Sequence, residues 1–221
     1  MEIRVSPSVL NADLATLASE IARIPGADSV HLDVMDNHFV PNMTFGLPVV
    51  QSLRAHTTLP MDVHLMIDNA DRWAPGFAEI GCESVTFHVE ASENPVALAR
   101  ILRALGSRAA AAFKPETRLE DYLPLIEEVD MLLIMTVEPG FGGQPFLTSM
   151  LRKIEKARKL IDALGKDIWI QVDGGIHDDT VAQAAQAGAN VFVAGSAAFY
   201  SNDPDKVVAR LRSLAQAAVE A

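Results

Sequence analysis

The chain has a single cysteine, Cys82, no low-complexity or Pro/Gly/Ser-rich segment, and no apolar run of about 18 residues or more. One thiol excludes any intramolecular disulfide. The lack of a long apolar run excludes a membrane-spanning helix, and no short apolar stretch at the N-terminus reads as a secretory leader, so a cytoplasmic protein with no membrane partner is expected. Basic residues are also scarce. With 18 Lys and Arg against 29 Asp and Glu, the formal net charge is −11, which argues against nucleic acid as a partner. An anionic substrate gains nothing from such a field and has to be held by local features. With no linker in its 221 residues and 49% hydrophobic content, residues 1–221 are expected to form one domain around one large core.

What the sequence does have is a regular alternation. Short, mostly β-branched runs at Ile3–Val5, Ser29–Asp33, Met61–Met66, Ser84–Phe87, Arg108–Phe113, Met131–Met135, Ile168–Val172 and Val191–Ala194 read as eight strands. Between them, helical periodicity marks Leu14–Ile24, a shorter Leu47–Arg54, Ala70–Ile80, Pro95–Leu105, Leu119–Glu127, Thr148–Leu164, Thr180–Ala187 and Pro204–Val219. Gly81, Gly106, Gly165 and Gly188 stand where helix C-caps would fall. A repeated βα order calls for a parallel sheet, either a TIM (β/α)8 barrel or an open doubly wound sheet. Polar residues at the C-terminal ends of the first, second, third and seventh strands favour the barrel. Closure gathers those ends around one mouth, where the active site is expected.

The stretch VHLDVMD carries that argument. In a strand His31 and Asp33 share one face, while Val30, Leu32 and Val34 take the other. Burying such groups without partners costs roughly 1–3 kcal/mol or more, so partners are implied. DVHLMI places Asp62, His64 and Met66 on one face, and WIQVDGGI does the same for Trp169, Gln171 and Asp173. A lone buried histidine is ordinarily a hydrogen-bonded core residue, and a lone strand-end aspartate a helix cap. His31, Asp33, His64 and Asp173 converging on one mouth instead supply the donors for a divalent transition metal. His88 and Glu90 in TFHVE read equally well as supports for that centre or as a structural pair. His38, His56 and His177 read as loop residues without a role. Met35, Met66 and Met135, at or just past strand ends, suggest a dry wall above the metal.

Three glycine-bearing loops complete the pattern. EPGFGGQPF follows the sixth strand, DGGI the seventh and AGS the eighth. Barrels commonly bind phosphate with the loops after strands seven and eight and a short extra helix, here expected at Ser196–Tyr200. Backbone amides can cradle an anion despite the negative net charge. Phe141, flanked by Gly140, Gly142 and Gly143, is placed to cover the mouth as part of a lid.

SPSVLNADL, VHLDVMDNHFVPNMTFG, DVHLMI, PGFGGQPF, VDGGI and VAGSAAF, in this order and over almost the whole chain, resemble the ribulose-phosphate 3-epimerase family. The resemblance implies a TIM barrel that binds one divalent cation through His31, Asp33, His64 and Asp173. It implies that Asp33 and Asp173 are the acid–base pair and that Ser8 and His64 contact the sugar. Gly140, Phe141, Gly142 and Gly143, Gly174 and Gly175, and Gly195 and Ser196 would line the substrate and its phosphate. The family often forms homo-oligomers. Ser6, where alanine is frequent, and Lys114, where asparagine is also common, depart from the pattern without touching the metal set.

The implied reaction interconverts D-ribulose 5-phosphate and D-xylulose 5-phosphate in the pentose phosphate pathway. One carboxylate removes the C3 proton, the cation stabilises the enediolate as a Lewis acid, and the other carboxyl group returns a proton to the opposite face. No organic cofactor is needed. An alternative is 3-epimerisation of a six-carbon ketose phosphate such as allulose 6-phosphate. A Schiff-base aldolase using Lys114 and a phosphosugar-binding regulatory module are readings of other kinds. The donor set accepts Zn2+, Fe2+, Mn2+ or Co2+.

Overall fold

The computed structural model describes residues 2–220. Eight parallel strands form one sheet: β1 (Arg4–Ser6), β2 (Val30–Met35), β3 (Met61–Met66), β4 (Ser84–His88), β5 (Arg108–Phe113), β6 (Met131–Met135), β7 (Trp169–Asp173) and β8 (Val191–Val193). Their order, β1-β8-β7-β6-β5-β4-β3-β2, brings first and last strands together and makes a nearly closed barrel. Between β1 and β2 a ladder gives way to ties. Ser8 bridges His31, the His31 amide donates to Pro7 O at 2.9 Å, and Asp28 exchanges two bonds with Val5, one of them through its side chain.

The helices α1 (Leu17–Ile21), α2 (Leu47–Arg54), α3 (Ala70–Glu79), α4 (Pro95–Ala104), α5 (Leu123–Ile126), α6 (Leu151–Leu164), α7 (Asp178–Gln186), α8 (Ser196–Phe199) and α9 (Pro204–Glu220) lie between and after the strands. None among the described residues is long and apolar enough to cross a membrane. Outward strand residues such as Val30, Leu32 and Val34 join a core shared with the helices, while His31, Asp33 and Met35 take the other face. β5 is nearly all alanine, a helix former, yet Ala109 to Ala112 are fully buried. Tertiary packing on both faces overrides local propensity there.

Several expected elements have different limits. The helix expected over Leu14–Ile24 is a 3-10 turn, Leu14–Thr16, capped by Asp13, followed by the short α1. The one expected over Leu119–Glu127 divides into a 3-10 turn, Leu119–Tyr122, and α5, because Pro124 has no amide to continue the earlier turn. α6 likewise starts after a 3-10 turn at Thr148–Met150. β2 runs to Met35, so this methionine is part of the strand. His177 is no idle loop residue: its side chain accepts from the Asp179 amide and caps α7, which starts at Asp178.

Candidate active site

Period-2 alternation sends His31 and Asp33 of β2, His64 of β3 and Asp173 of β7 to the same end of the barrel interior. One donor atom from each lies within 4.8 Å of all the others. Asp33 Oδ1 is 3.3 Å from His64 Nδ1 and 3.5 Å from His31 Nε2; Asp173 Oδ2 is 3.5 Å and 3.9 Å from the same two nitrogens. Two threonines fix the carboxylate-bearing backbone. Thr44 Oγ1 donates to Asp33 O at 2.6 Å, and Thr136 Oγ1 contacts the carbonyls of Asp173 and Gly174 at 2.8 and 2.6 Å.

The donor set fits a divalent cation. His31 is fully buried, and its Nε2, facing the two carboxylates, has no hydrogen-bond partner among the described residues. An unpaired buried polar atom is costly unless something is bound to it. The other face of each ring is held. His31 Nδ1 lies 2.8 Å from Asp62 Oδ2, which also accepts from Gln171 Nε2. His64 Nε2 is 2.9 Å from His88 Nε2, and His88 Nδ1 is 3.1 Å from Glu90. Glu90 in turn accepts from the Lys114 amide at 2.9 Å and from the Thr117 hydroxyl. His88 and Glu90 thus continue a chain of contacts behind His64, the arrangement that a support for a metal centre would take.

The electrostatics follow from burial set against paired charge. Burial alone would depress His31, but Asp33 and Asp62 outweigh it and hold the imidazole well above its ordinary value. His64 is raised too, its burial overcome by Asp173 and Asp33. Burial would push the Asp33 carboxyl up, yet His31 and His64 hold it far below the carboxylate range. For His88 burial prevails: with the charges of His64 and Lys114 it drives the imidazole down to about 4, although Glu90 raises it. Glu90, despite its burial, is pulled to about 2 by His88, Thr117 and the Lys114 amide.

The chain matches the family model described as the ribulose-phosphate 3 epimerase family over residues 4–199. It belongs to that family. It is 56% identical over 214 residues to the ribulose-phosphate 3-epimerase of Mycobacterium tuberculosis, covering 97% of this chain and 93% of that one. The Escherichia coli ribulose-phosphate 3-epimerase is 44% identical over 212 residues, with 95% and 94% covered. The crystal structure of KGPDC from Streptococcus mutans superposes with a TM-score of 0.73 over 98% of this chain and 99% of that one. At 12% identity this likeness shows a shared fold.

In this member of the ribulose-phosphate 3-epimerase family, the remaining expected residues surround one cleft above the cluster. Ser8, Met35, Met66, Met135, Gly140 to Gln144, Gly174, Gly175, Gly195 and Ser196 all line it, beside Asp33 and Asp173. Ser8 Oγ donates to Asp33 Oδ2. Gly175 needs its φ of +65°, and a Cβ there would lie 2.4 Å from the Phe146 amide nitrogen. The loop after β6 is tied down. Gln144 Nε2 donates to the carbonyls of Glu138 and Phe141, and Asn42 Nδ2 to that of Gly140. Phe141 itself is about half exposed. The His38 ring lies 2.9 Å from the Asp36 carbonyl and the His56 ring 2.9 Å from that of Ser52, away from the cluster. Lys114 places its ammonium 3.9 Å from the Phe39 ring centre and is absent from the cleft wall, so nothing favours a Schiff base.

Sequence reasoning placed Asp62 and Gln171 on the inward face but assigned them no role, and it missed Asn11. The Asn11 carboxamide lies so near Gly142 and Gly195 that a Cβ on either would stand 2.4 Å from Oδ1. Its only signal was its position three residues after Ser8, one 3-10 turn away.

Proposed function

We propose that this chain is a metal-dependent epimerase that interconverts D-ribulose 5-phosphate and D-xylulose 5-phosphate in the cytoplasm. The observation that carries the reading is the cluster of two imidazoles and two carboxylates at the barrel mouth, in a chain of this family. His31 through Nε2, His64 through Nδ1, Asp33 and Asp173 would hold one divalent ion, Zn2+, Fe2+, Mn2+ or Co2+. That ion would supply Lewis-acid stabilisation of negative charge on the substrate oxygens.

Asp33 and Asp173 are the acid–base pair: one accepts the C3 proton and the other delivers a proton to the opposite face. Asp33 is kept ionised by the two histidines and oriented by Ser8. Asp173 is the more open of the two, with a side chain 17% exposed against 3% for Asp33. Ser8, on the cleft wall, orients the sugar, and His64, fully buried with Nε2 on His88, serves it by holding the ion. Backbone amides around Gly174, Gly175, Gly195 and Ser196 receive the phosphate, and Gly140 to Gly143 with Phe141 close over it. The three methionines keep bulk water from the reacting carbon. No organic cofactor takes part.

A homo-oligomer is also proposed. Met43 and Trp73, 67% and 44% exposed, border an apolar groove beside α3, the kind of surface that self-association covers. Nothing favours a six-carbon substrate over the pentose phosphate.

The test is turnover of ribulose 5-phosphate in heavy water. Early xylulose 5-phosphate should carry deuterium at C3 while unreacted ketose stays largely protonated. Early product that keeps its original C3 hydrogen undiluted would refute the two-carboxylate pair.

A further inference from the structure

Two glycines of the cleft do not owe their place to a left-handed backbone. Gly140, Gly143, Gly174 and Gly175 all have positive φ, where a side chain is strained whatever the space around it. Gly142, in the loop after β6, and Gly195, after β8, do not. What excludes a side chain at both is Asn11. A Cβ on Gly142 would run into Oδ1 and Nδ2 of its carboxamide, and a Cβ on Gly195 would run into Oδ1.

Asn11 is fixed through both its backbone and its side chain. It ends a 3-10 turn, Val9–Asn11, capped by Ser8, whose hydroxyl accepts from the Leu10 amide at 3.2 Å and donates to Asp33. The Ser8 amide donates to Ala194 O at 3.2 Å, which docks this turn beside the end of β8. The side chain donates from Nδ2 to the Tyr200 hydroxyl at 3.1 Å, just past α8. The carboxamide thus abuts the loops after β6 and β8 and is tied to a third segment. It lines the same cleft as Ser8, Gly174 and Ser196. A second asparagine tie to the loop after β6 runs from Asn42 Nδ2 to Gly140 O at 2.8 Å.

We infer that Asn11 is a positioning residue for the glycine-lined end of the cleft: its carboxamide sets how closely the loop after β6 approaches the loop after β8, and Tyr200 fixes its orientation. The inference rests on the reading of that end as the phosphate site. A smaller side chain leaves a gap, and the glycine backbones lose their contacts on that side outright. The loop is then freer to move, and a bound phosphate is held less well. Asn11 has no hydrogen bond to Asp33 or Asp173 among the described residues, so its loss falls on ligand binding more than on proton transfer.

Hydrogen exchange and steady-state kinetics on the whole protein test this. In ligand-free Asn11→Ala, exchange over Gly140 to Gln144 should be faster than in the parent. Tyr200→Phe, at a residue 74% exposed, should shift it the same way by less. KM for ribulose 5-phosphate should rise roughly 5- to 10-fold in Asn11→Ala, and kcat should fall by less. Asn11→Asp keeps the size of the side chain, so loop exchange should stay near that of the parent while the added negative charge raises KM. Loop exchange in Asn11→Ala equal to the parent's overturns the inference, and so does faster exchange spread evenly over the barrel. A fall in kcat with KM unchanged also overturns it, because Asn11 would then act on the chemistry. If the parent does not turn over ribulose 5-phosphate, the assigned reaction fails, and the ligand-free exchange comparison still decides the role of Asn11.

Discussion

His64 Nε2 and His88 Nε2 face each other at 2.9 Å, so one of these nitrogens must carry the proton between them. If His64 offers Nδ1 to a cation, Nε2–H donates to His88, whose Nδ1–H then donates to Glu90. The chain of bonds thus selects the ligating tautomer of His64. Replacing His88 by alanine should weaken divalent-ion binding to the metal-free protein roughly 10- to 100-fold, with glutamine recovering part of the loss. Competition with a coloured chelator measures this. Unchanged affinity in His88→Ala would remove the support role.

Ion binding should depend on pH in a definite direction. In the metal-free protein His31 and His64 are raised above the ordinary imidazole value, so protons compete with a cation for their ring nitrogens. Apparent affinity should therefore rise with pH, with net release of protons on binding. The linked stability has the opposite slope: it is fully present below the unfolded value of about 6.5 and fades as pH climbs through the folded one. Calorimetric titration in buffers of different ionisation enthalpy would count the protons. A release of none would contradict the raised values.

Asp33→Asn and Asp173→Asn should each abolish epimerisation. A variant that still binds the ion should keep solvent-proton exchange with one of the two epimers through its remaining carboxylate. Metal content has to be measured first, because both side chains are also proposed ligands. Exchange with both epimers in either variant would show that one group serves both faces.

Hydrogen exchange over Gly140 to Gln144 should slow when a ketose phosphate binds. Gln144 already spans the loop from the Glu138 carbonyl to that of Phe141, so Gln144→Ala should speed exchange in the empty protein and raise KM more than it lowers kcat. Equal exchange with and without saturating ligand would argue against closure.

Adding a methyl group to Gly175 should be costly. Its positive φ and the nearby Phe146 amide leave no room, and Gly175→Ala should destabilise the protein by about 1–3 kcal/mol. Chemical denaturation measures the loss, and a value near zero would mean the two loops can move apart freely.

Much of this centre was legible because period-2 alternation is strict. Once β2, β3 and β7 are placed, the inward parity of His31, Asp33, His64 and Asp173 follows. The limits of β3, β5 and β6 agree with the sequence reading to the residue. Pairings across the interior were not legible. Nothing local ties Asp62 to Gln171, or tells whether His88 turns toward His64 or toward a core contact, since those choices depend on how strands far apart in sequence meet. The split helices were hidden for another reason: apolar periodicity carries through Pro124, whose missing amide decides where one turn ends.

The bond between Gln171 and Asp62 joins residues 109 positions apart. A chain leaving the ribosome therefore completes its first four strands long before Gln171 has been made. Until then the inner face of that half-barrel, with Asp62, Ser84 and His31 on it, has polar groups with no strand opposite them and is better left in solvent than collapsed. Polarity that looks extravagant in the finished interior is thus a cost met only when strands far apart in sequence come together, a non-local pairing of the kind that forms late.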